Sequence, residues 1–174
     1  MRYYKIIDNV ETFFEGNVLY TEDATIINPT EEQMIAAGWQ VYVEPEPTNA
    51  QKLAAAKAEK IMQIETYDAS SAVNEFTIND VPMWLDHNLR QQIRTSAEAY
   101  TAMGINEMTK VFDGQEFTFT VPDWLLMLNS LEVYAAEALN TTERHKNAVL
   151  QMTRRKDVED YDYTVNYPAK LHFG

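Results

Sequence analysis

The sequence predicts an α+β protein in two parts. A small acidic β-rich module with one short helix occupies residues 1–44, a Pro/Glu linker 45–48, and an α+β domain 49–174. In that domain three main helices pack on a three-stranded, mainly antiparallel sheet, and the last helix is long with a heptad seam. Three observations carry the prediction. Residues 1–27 alternate like strands, and residues 1–50 hold nine acids against two bases, a net of −7, whereas 51–174 hold eighteen against twelve. Asp113-Gly114 joins two β-rich runs, as a type I′ hairpin turn does. Leu128, Leu131, Ala135, Ala138, Thr142, His145, Val149 and Met152 follow one another at spacings of 3, 4, 3, 4, 3, 4 and 3, an unbroken heptad-type seam.

The elements follow in order. Tyr3 to Ile7, Val10 to Phe14, Val18 to Tyr20 and Ala24 to Ile27 read as a meander of three or four short strands, with turns at Asp8-Asn9 and Glu15-Gly16-Asn17. Such a sheet needs a cover, and the run from Asn28 to Gly38 supplies a helix. Thr30 and Gln33 have capping-box spacing, Glu31 and Glu32 suit the positive helix end, and Gly38 is a left-handed stop. The strand from Trp39 to Val43 then returns, with Trp39 read as a core or interface anchor in preference to a ligand-stacking ring. Glu44-Pro45-Glu46-Pro47 favours an extended spacer.

Thr48 caps a helix over 49–67 with a narrow, alanine-rich stripe of Leu53, Ala54, Ala58, Ile61 and Ile64, and Lys52, Lys57 and Lys60 lie mostly off that stripe. A near-duplicate then organises the rest. Residues 75–85 read Glu-Phe-Thr-Ile-Asn-Asp-Val-Pro-Met-Trp-Leu, and 116–125 read Glu-Phe-Thr-Phe-Thr-Val-Pro-Asp-Trp-Leu. Each copy reads as a strand handing over to a helix at Val-Pro-x-Trp-Leu, the proline tolerated in the first turn. The first helix carries Trp84, Leu85, Leu89, Ile93, Ala97 and Tyr100 on one face and ends at Gly104. The hairpin at 108–120 joins the strand at 75–79 to make the three-stranded sheet. The second copy launches one helix from about 123 to 154, with a break at Asn140-Thr141-Thr142 as the lesser option. Residues 157–161 add a turn of helix, and 163–171 form an extended aromatic tail docked on the body.

Composition narrows the chemistry. A hydrophobic fraction of 45% suffices for a core, and the absence of cysteine removes disulfides and thiolate catalysis. A net charge of −13 opposes a phosphate-binding surface, since nucleic-acid binders need a basic stripe. No apolar run reaches the ~18–20 residues that span a bilayer, and the N-terminus has no signal-peptide core. His87, His145 and His172 have no metal-like companions, and His145 reads as buried and hydrogen-bonded rather than pH-sensitive or metal-binding. Asp80 with Asp86, or Asp157 with Asp160, are the carboxylate pairs a small hydrolase or carbohydrate-acting enzyme would use, and neither follows a calcium-loop pattern. No phosphate loop, nucleophile elbow or dinucleotide fingerprint occurs. No catalytic, cofactor-binding or metal-binding residue is therefore assigned. The residues expected at the core or an interface are Trp39, Trp84, Trp124, Leu128, Leu131, Tyr134, His145, Val149, Tyr161, Tyr163 and Tyr167.

Several motifs are spread along the chain in order. They are Ile64-x-x-Tyr67-Asp68-x-Ser70-x-x-Val73-Asn74-x-Phe76, Trp84-x-Asp86-x-x-x-Arg90, Leu131-Glu132-x-Tyr134-Ala135, Thr142-Glu143-x-His145 and Tyr161-Asp162-Tyr163-Thr164-x-x-Tyr167-Pro168. Over about residues 50–174 the chain resembles a family of uncharacterised domains in tail-associated proteins of bacteriophages and prophages of gut bacteria. Asn28-Pro29-Thr30-Glu31-Glu32 and Gly38-Trp39 resemble a short module that often precedes it. The resemblance implies a phage structural or assembly role and no reaction. The missing motifs lead to no expected cofactor, and the missing signal and cysteine to an address in the cytoplasm or, after assembly, the virion. The expected partners are further copies of the chain or other tail components, and the acidic charge and lack of a long apolar run leave out nucleic acid and membrane. The hydrolase is the alternative, and an acidic mimic of nucleic acid is a third expectation.

Overall fold

Three pairs of consecutive residues adopt left-handed backbone: Asp8-Asn9 (φ 50° and 62°), Asn79-Asp80 (49° and 63°) and Asp113-Gly114 (49° and 81°). Asp, Asn and Gly tolerate that region, and a pair of such residues matches the twist of the strands it joins. Each pair closes a two-residue antiparallel hairpin. The computed structural model describes all 174 residues and divides into two compact units, Met1–Thr48 and Asn49–Gly174. No helix is long and apolar enough to cross a membrane.

In the first unit, β1 (Tyr3–Ile7) and β2 (Val10–Phe13) form the first hairpin. β3 (Val18–Tyr20) and β4 (Thr25–Ile27) form a separate two-stranded ladder, so the expected single meander is two pieces. α1 (Glu31–Ala36) has the full capping box: the Gln33 amide donates to Thr30 Oγ1 at 3.3 Å, and the Thr30 amide donates to Gln33 Oε1 at 2.8 Å. It ends with Gly38 at φ 84°, where the Gly38 and Trp39 amides donate back to the Ile35 and Met34 carbonyls, the paired closure that a left-handed glycine permits. β5 is only Gln40–Val41 and pairs with β1, giving the order β2-β1-β5. Met34 and Leu19 are the buried apolar residues, and Trp39 lies half-buried, edge-on to Phe14 with ring centres 5.3 Å apart.

The second unit opens with α2 (Asn49–Asp68), followed by the single turn α3 (Ser71–Asn74). β6 (Phe76–Ile78) then runs through Asn79-Asp80 into β7 (Val81–Met83). This corrects the reading of the first duplicate. Val81-Pro82 continues a hairpin and does not start a helix. Pro82 sits opposite Thr77, one residue beyond the pair that flanks the turn, so its nitrogen faces away from β6 on an edge strand and no ladder bond is lost. The helix α4 begins later, at His87–Ala102, where the Leu89 amide donates to the N-cap Asp86 carboxylate at 2.8 Å. Trp84 falls in the connection, 52% exposed, so it is not a core residue, while neighbouring Leu85 is buried.

The second duplicate behaves as expected. β8 (Glu107–Phe112) and β9 (Gln115–Thr120) form the hairpin, and α5 (Val121–Gln151) follows at once. Thr120 caps it by accepting from the Asp123 amide at 3.2 Å, and Pro122 stands in its first turn. Trp124 is fully buried. Its indole N–H donates to the Met108 carbonyl at 2.8 Å, and its ring meets Phe119 edge-on at 5.5 Å. α6 (Arg155–Glu159) and the short β10 (His172–Phe173) complete the chain.

The three-stranded sheet has the order β10-β6-β7, with β10 parallel and β7 antiparallel to β6. The hairpin β8–β9 forms a ladder of its own, contrary to its expected pairing with the strand at 75–79. Both edges of β6 are already taken, one by the tight turn and one by the returning tail. Two cores result. Phe76, Ile78, Leu85, Ile93, Met108, Trp124 and Leu128 belong to the larger, and Ile64, Val149 and Val158 to the smaller. α5 runs through both, and its seam is turned inward: Leu128, Leu131, Ala138, Thr142, His145 and Val149 are all buried. The helix is continuous through Asn140-Thr141-Thr142.

Arg90 ties α4 to α5. Its Nε donates to Glu132 at 2.9 Å and its Nη1 to the Leu85 carbonyl at 2.7 Å. The Arg90 hydrogen bond holds the Glu132 carboxyl below its ordinary value of 4.5. A depressed carboxyl contributes stability above its unfolded pKa, and that contribution is lost as pH falls through the folded value. Urea midpoints taken from pH 7 to pH 3 should therefore fall less steeply for Glu132→Gln than for wild type below about pH 4.5. Superimposable pH profiles would show that the pair contributes nothing.

Candidate functional site: a groove between the long helix and a pegged strap

After α6 the chain runs from 160 to 171 without regular structure, as a strap returning over the helices. A segment with no ladder of its own must satisfy its backbone by other means, and buried side chains supply them. Lys60 of α2 is only 9% exposed. Its ammonium donates to the Glu159 carbonyl at 2.9 Å and the Tyr161 carbonyl at 3.2 Å, 5.4 Å from the centre of the Tyr163 ring. The lysine was expected off the helix stripe. Its long stem crosses the apolar contact, and its head donates to the Glu159 and Tyr161 carbonyls, which no local pattern could foretell.

His145 is the central peg. Nε2 lies 2.9 Å from the Val165 carbonyl and Nδ1 2.7 Å from the Tyr161 hydroxyl. A carbonyl only accepts, so Nε2 carries the proton and Nδ1 accepts from the tyrosine. The imidazole stacks on Tyr167 at 5.7 Å. The two threonines that threatened the helix act as further pegs: Thr141 Oγ1 donates to the Asn166 carbonyl at 3.3 Å, and Thr142 Oγ1 lies 2.6 Å from Asp68 and 2.8 Å from the Tyr167 hydroxyl. Tyr67 meets Tyr163 and Tyr167 edge-on, at 5.8 and 5.4 Å. Burial pushes the Tyr161 and Tyr167 hydroxyls above the usual phenol range, so both remain protonated donors at neutral pH. Asp162 closes a local turn by accepting from the Thr164 amide and hydroxyl, which hold its carboxyl below the usual range. Lys170 pairs with Glu75 at 3.0 Å, and β10 docks on β6.

So held, the strap stands beside α5 and leaves a groove. One recess, of about 480 Å³, lies between Phe119, Asp123, Leu126 and Met127 on one side and His172 and Phe173 on the other. A second, of about 440 Å³, lies between Asn129, Val133, Tyr134 and Glu137 and the strap residues Pro168, Ala169 and Leu171. Ser130 lines both, so the two are contiguous. Leu126 and Val133 are 65% and 60% exposed there. The Tyr134 hydroxyl is fixed by donating to the Val73 carbonyl at 2.6 Å. Leu126 and Val133 were missed in the sequence, although a signal existed: in Leu125-Leu126-Met127-Leu128 one helix cannot turn every side chain inward.

The carboxylates considered for catalysis have local duties. Asp80 lies in a left-handed turn, Asp86 caps α4, Asp157 takes two bonds from Arg154 at 2.6 and 2.8 Å, and Asp160 ends α6. The three histidines do not meet: His87 faces Glu132, His145 is pegged to the strap, and His172 bonds Thr77 at 2.8 Å. No group of three His, Asp or Glu residues is placed to hold a metal ion. The fold and groove define a two-unit α+β protein with an open surface trough. Comparison with protein-family models, curated proteins and solved structures gave no match.

Proposed function

We propose that this chain is a non-catalytic protein-interaction module of the structural or assembly kind found in phage tails. The observation that carries the reading is the contiguous groove in which Leu126 and Val133 stand exposed on a rigid helix, a patch of the kind that marks contact surfaces. The resemblance of residues 50–174 to tail-associated phage domains supplies the setting. The interaction surface is the face of α5 opposite its heptad seam, because the seam is buried within the unit.

Co-expression with the proteins encoded beside its gene, followed by size-exclusion chromatography with light scattering, tests this. The wild type should form a complex with a tail component that the double variant Leu126→Glu, Val133→Glu does not form, both proteins retaining the same melting temperature within a few degrees. A strict monomer at high concentration that captures no such protein overturns the proposal. So does a double variant that assembles normally.

A further inference from the structure

We propose that the recess beside β10 takes an extended peptide segment of a partner protein, apolar in its middle and basic at both ends, that adds as a strand to β10. This deepens the reading of the groove as an interaction surface and rests on it.

The first argument is the strand edge. β10 is the outer strand of its sheet. In the parallel pairing the Thr77 and Asn79 amides donate to the Leu171 and Phe173 carbonyls, at 3.1 and 2.7 Å. Successive residues of a strand present their backbone groups to opposite sides, so the amide and carbonyl of His172 face away from β6. An extended peptide can satisfy them, and an added strand sends alternate side chains to one side. The second is shape. The recess of about 480 Å³ beside that edge has apolar walls from Phe119, Leu126, Met127 and Phe173, with room for one or two aliphatic side chains.

The third argument is charge. Asp123 lines this recess, Glu137 the next one along, and Asp80 the opposite flank of β10, with no lysine or arginine lining any of the three. Asp123 accepts from the Thr120 hydroxyl through Oδ2, which leaves Oδ1 for a ligand cation. Asp123 and Glu137 stand close to four turns apart along α5, about 21 Å at the helix rise, which an extended chain covers in about six residues. Bases six or seven positions apart, flanking alternate aliphatic residues, match that separation. An acidic segment would meet carboxylates at both ends and the field of a chain of net charge −13.

The test uses the full chain and a synthetic, fluorescein-labelled peptide of eight residues, with lysine first and last and valine, leucine and threonine between, titrated by anisotropy. A second peptide replaces both lysines with glutamate. The lysine peptide should bind, more weakly as salt is raised, and the glutamate peptide should not. Asp123→Asn, which retains a cap acceptor, should weaken the lysine peptide by about twofold to fivefold, the size of an exposed ion pair. Leu126→Gln should weaken the lysine peptide by removing part of the recess's apolar wall. Amide chemical-shift changes should centre on 119–130 and 171–174. Equal binding of the two peptides, or shift changes centred elsewhere, overturns the inference. If the tail complex forms and is lost in the double variant while neither peptide binds, the strand proposal falls and the interaction reading stands. If the lysine peptide binds as described while no tail component is captured, the groove is a peptide-binding surface and the phage-tail setting of the proposed function falls.

Discussion

Trp124→Ala is expected to destabilise the second unit by about 3–5 kcal/mol, the range for emptying a large aromatic site in a core. The indole is fully buried where α5, the β8–β9 hairpin and the α4 side of the larger core converge. Two losses combine. The neighbouring rings Phe112 and Phe119, with centres 6.4 and 5.5 Å away, lose their contact surface. The buried Met108 carbonyl loses its donor at 2.8 Å. Trp124→Phe separates the terms: it keeps much of the ring contact and removes the N–H, and should cost roughly 1–3 kcal/mol. Urea unfolding followed by far-UV circular dichroism reads both. Equal midpoints for wild type and Trp124→Ala would mean that the indole does not organise this core.

His145→Phe should act differently, loosening the strap before it unfolds the unit. Phenylalanine retains a ring against Tyr167 and presents neither donor nor acceptor. The Val165 carbonyl and the Tyr161 hydroxyl then lose partners at 2.9 and 2.7 Å. Both bonds are part-buried, and a hydrogen bond of this kind contributes about 0.5–1.5 kcal/mol. The strap has no helix or long ladder of its own to resist, so opening it is the cheaper relief. Amide hydrogen exchange should speed up across 160–171 while amides around Trp124 and Leu128 keep their protection. Lys60→Met should produce the same regional pattern, since its ammonium holds the Glu159 and Tyr161 carbonyls at the strap's beginning. If exchange in 160–171 is unchanged in His145→Phe, the strap is held by its aromatic packing and the pegs are incidental. Because the strap forms one wall of the groove, its loosening should also weaken any partner seated there.

The two copies of the Glu-Phe-Thr phrase show where legibility ended. In the second copy, Thr120, Pro122 and Asp123 are the cap and first turn of a helix, and each acts on neighbours within three residues. That arrangement could be read directly. In the first copy, Asn79-Asp80 intervenes, and its left-handed pair turns the following Val81-Pro82-Met83 back along β6. The proline looked like a helix start because a first helical turn and an edge strand both tolerate a missing N–H. Choosing between them required knowing that β7 would be an edge. Similarly, the seam of α5 was visible as a period, but its burial within the unit depends on α2, α4 and the strap all arriving on the same side.

What this sequence determined by itself is what contiguous residues decide through local bonds and periodicity. That includes the α+β class, the capping box at Thr30 and Gln33, the Asp113-Gly114 hairpin, and a single long helix from the second duplicate. The tertiary structure alone decided which strands share a sheet, why Lys60 lies buried, and which face of α5 remains open beside the strap. The first two depend on partners 95 to 101 positions apart, as between Thr77 and His172 or Lys60 and Tyr161. At such separations no propensity or spacing links the residues; a shared burial does, and it exists only once the chain has closed.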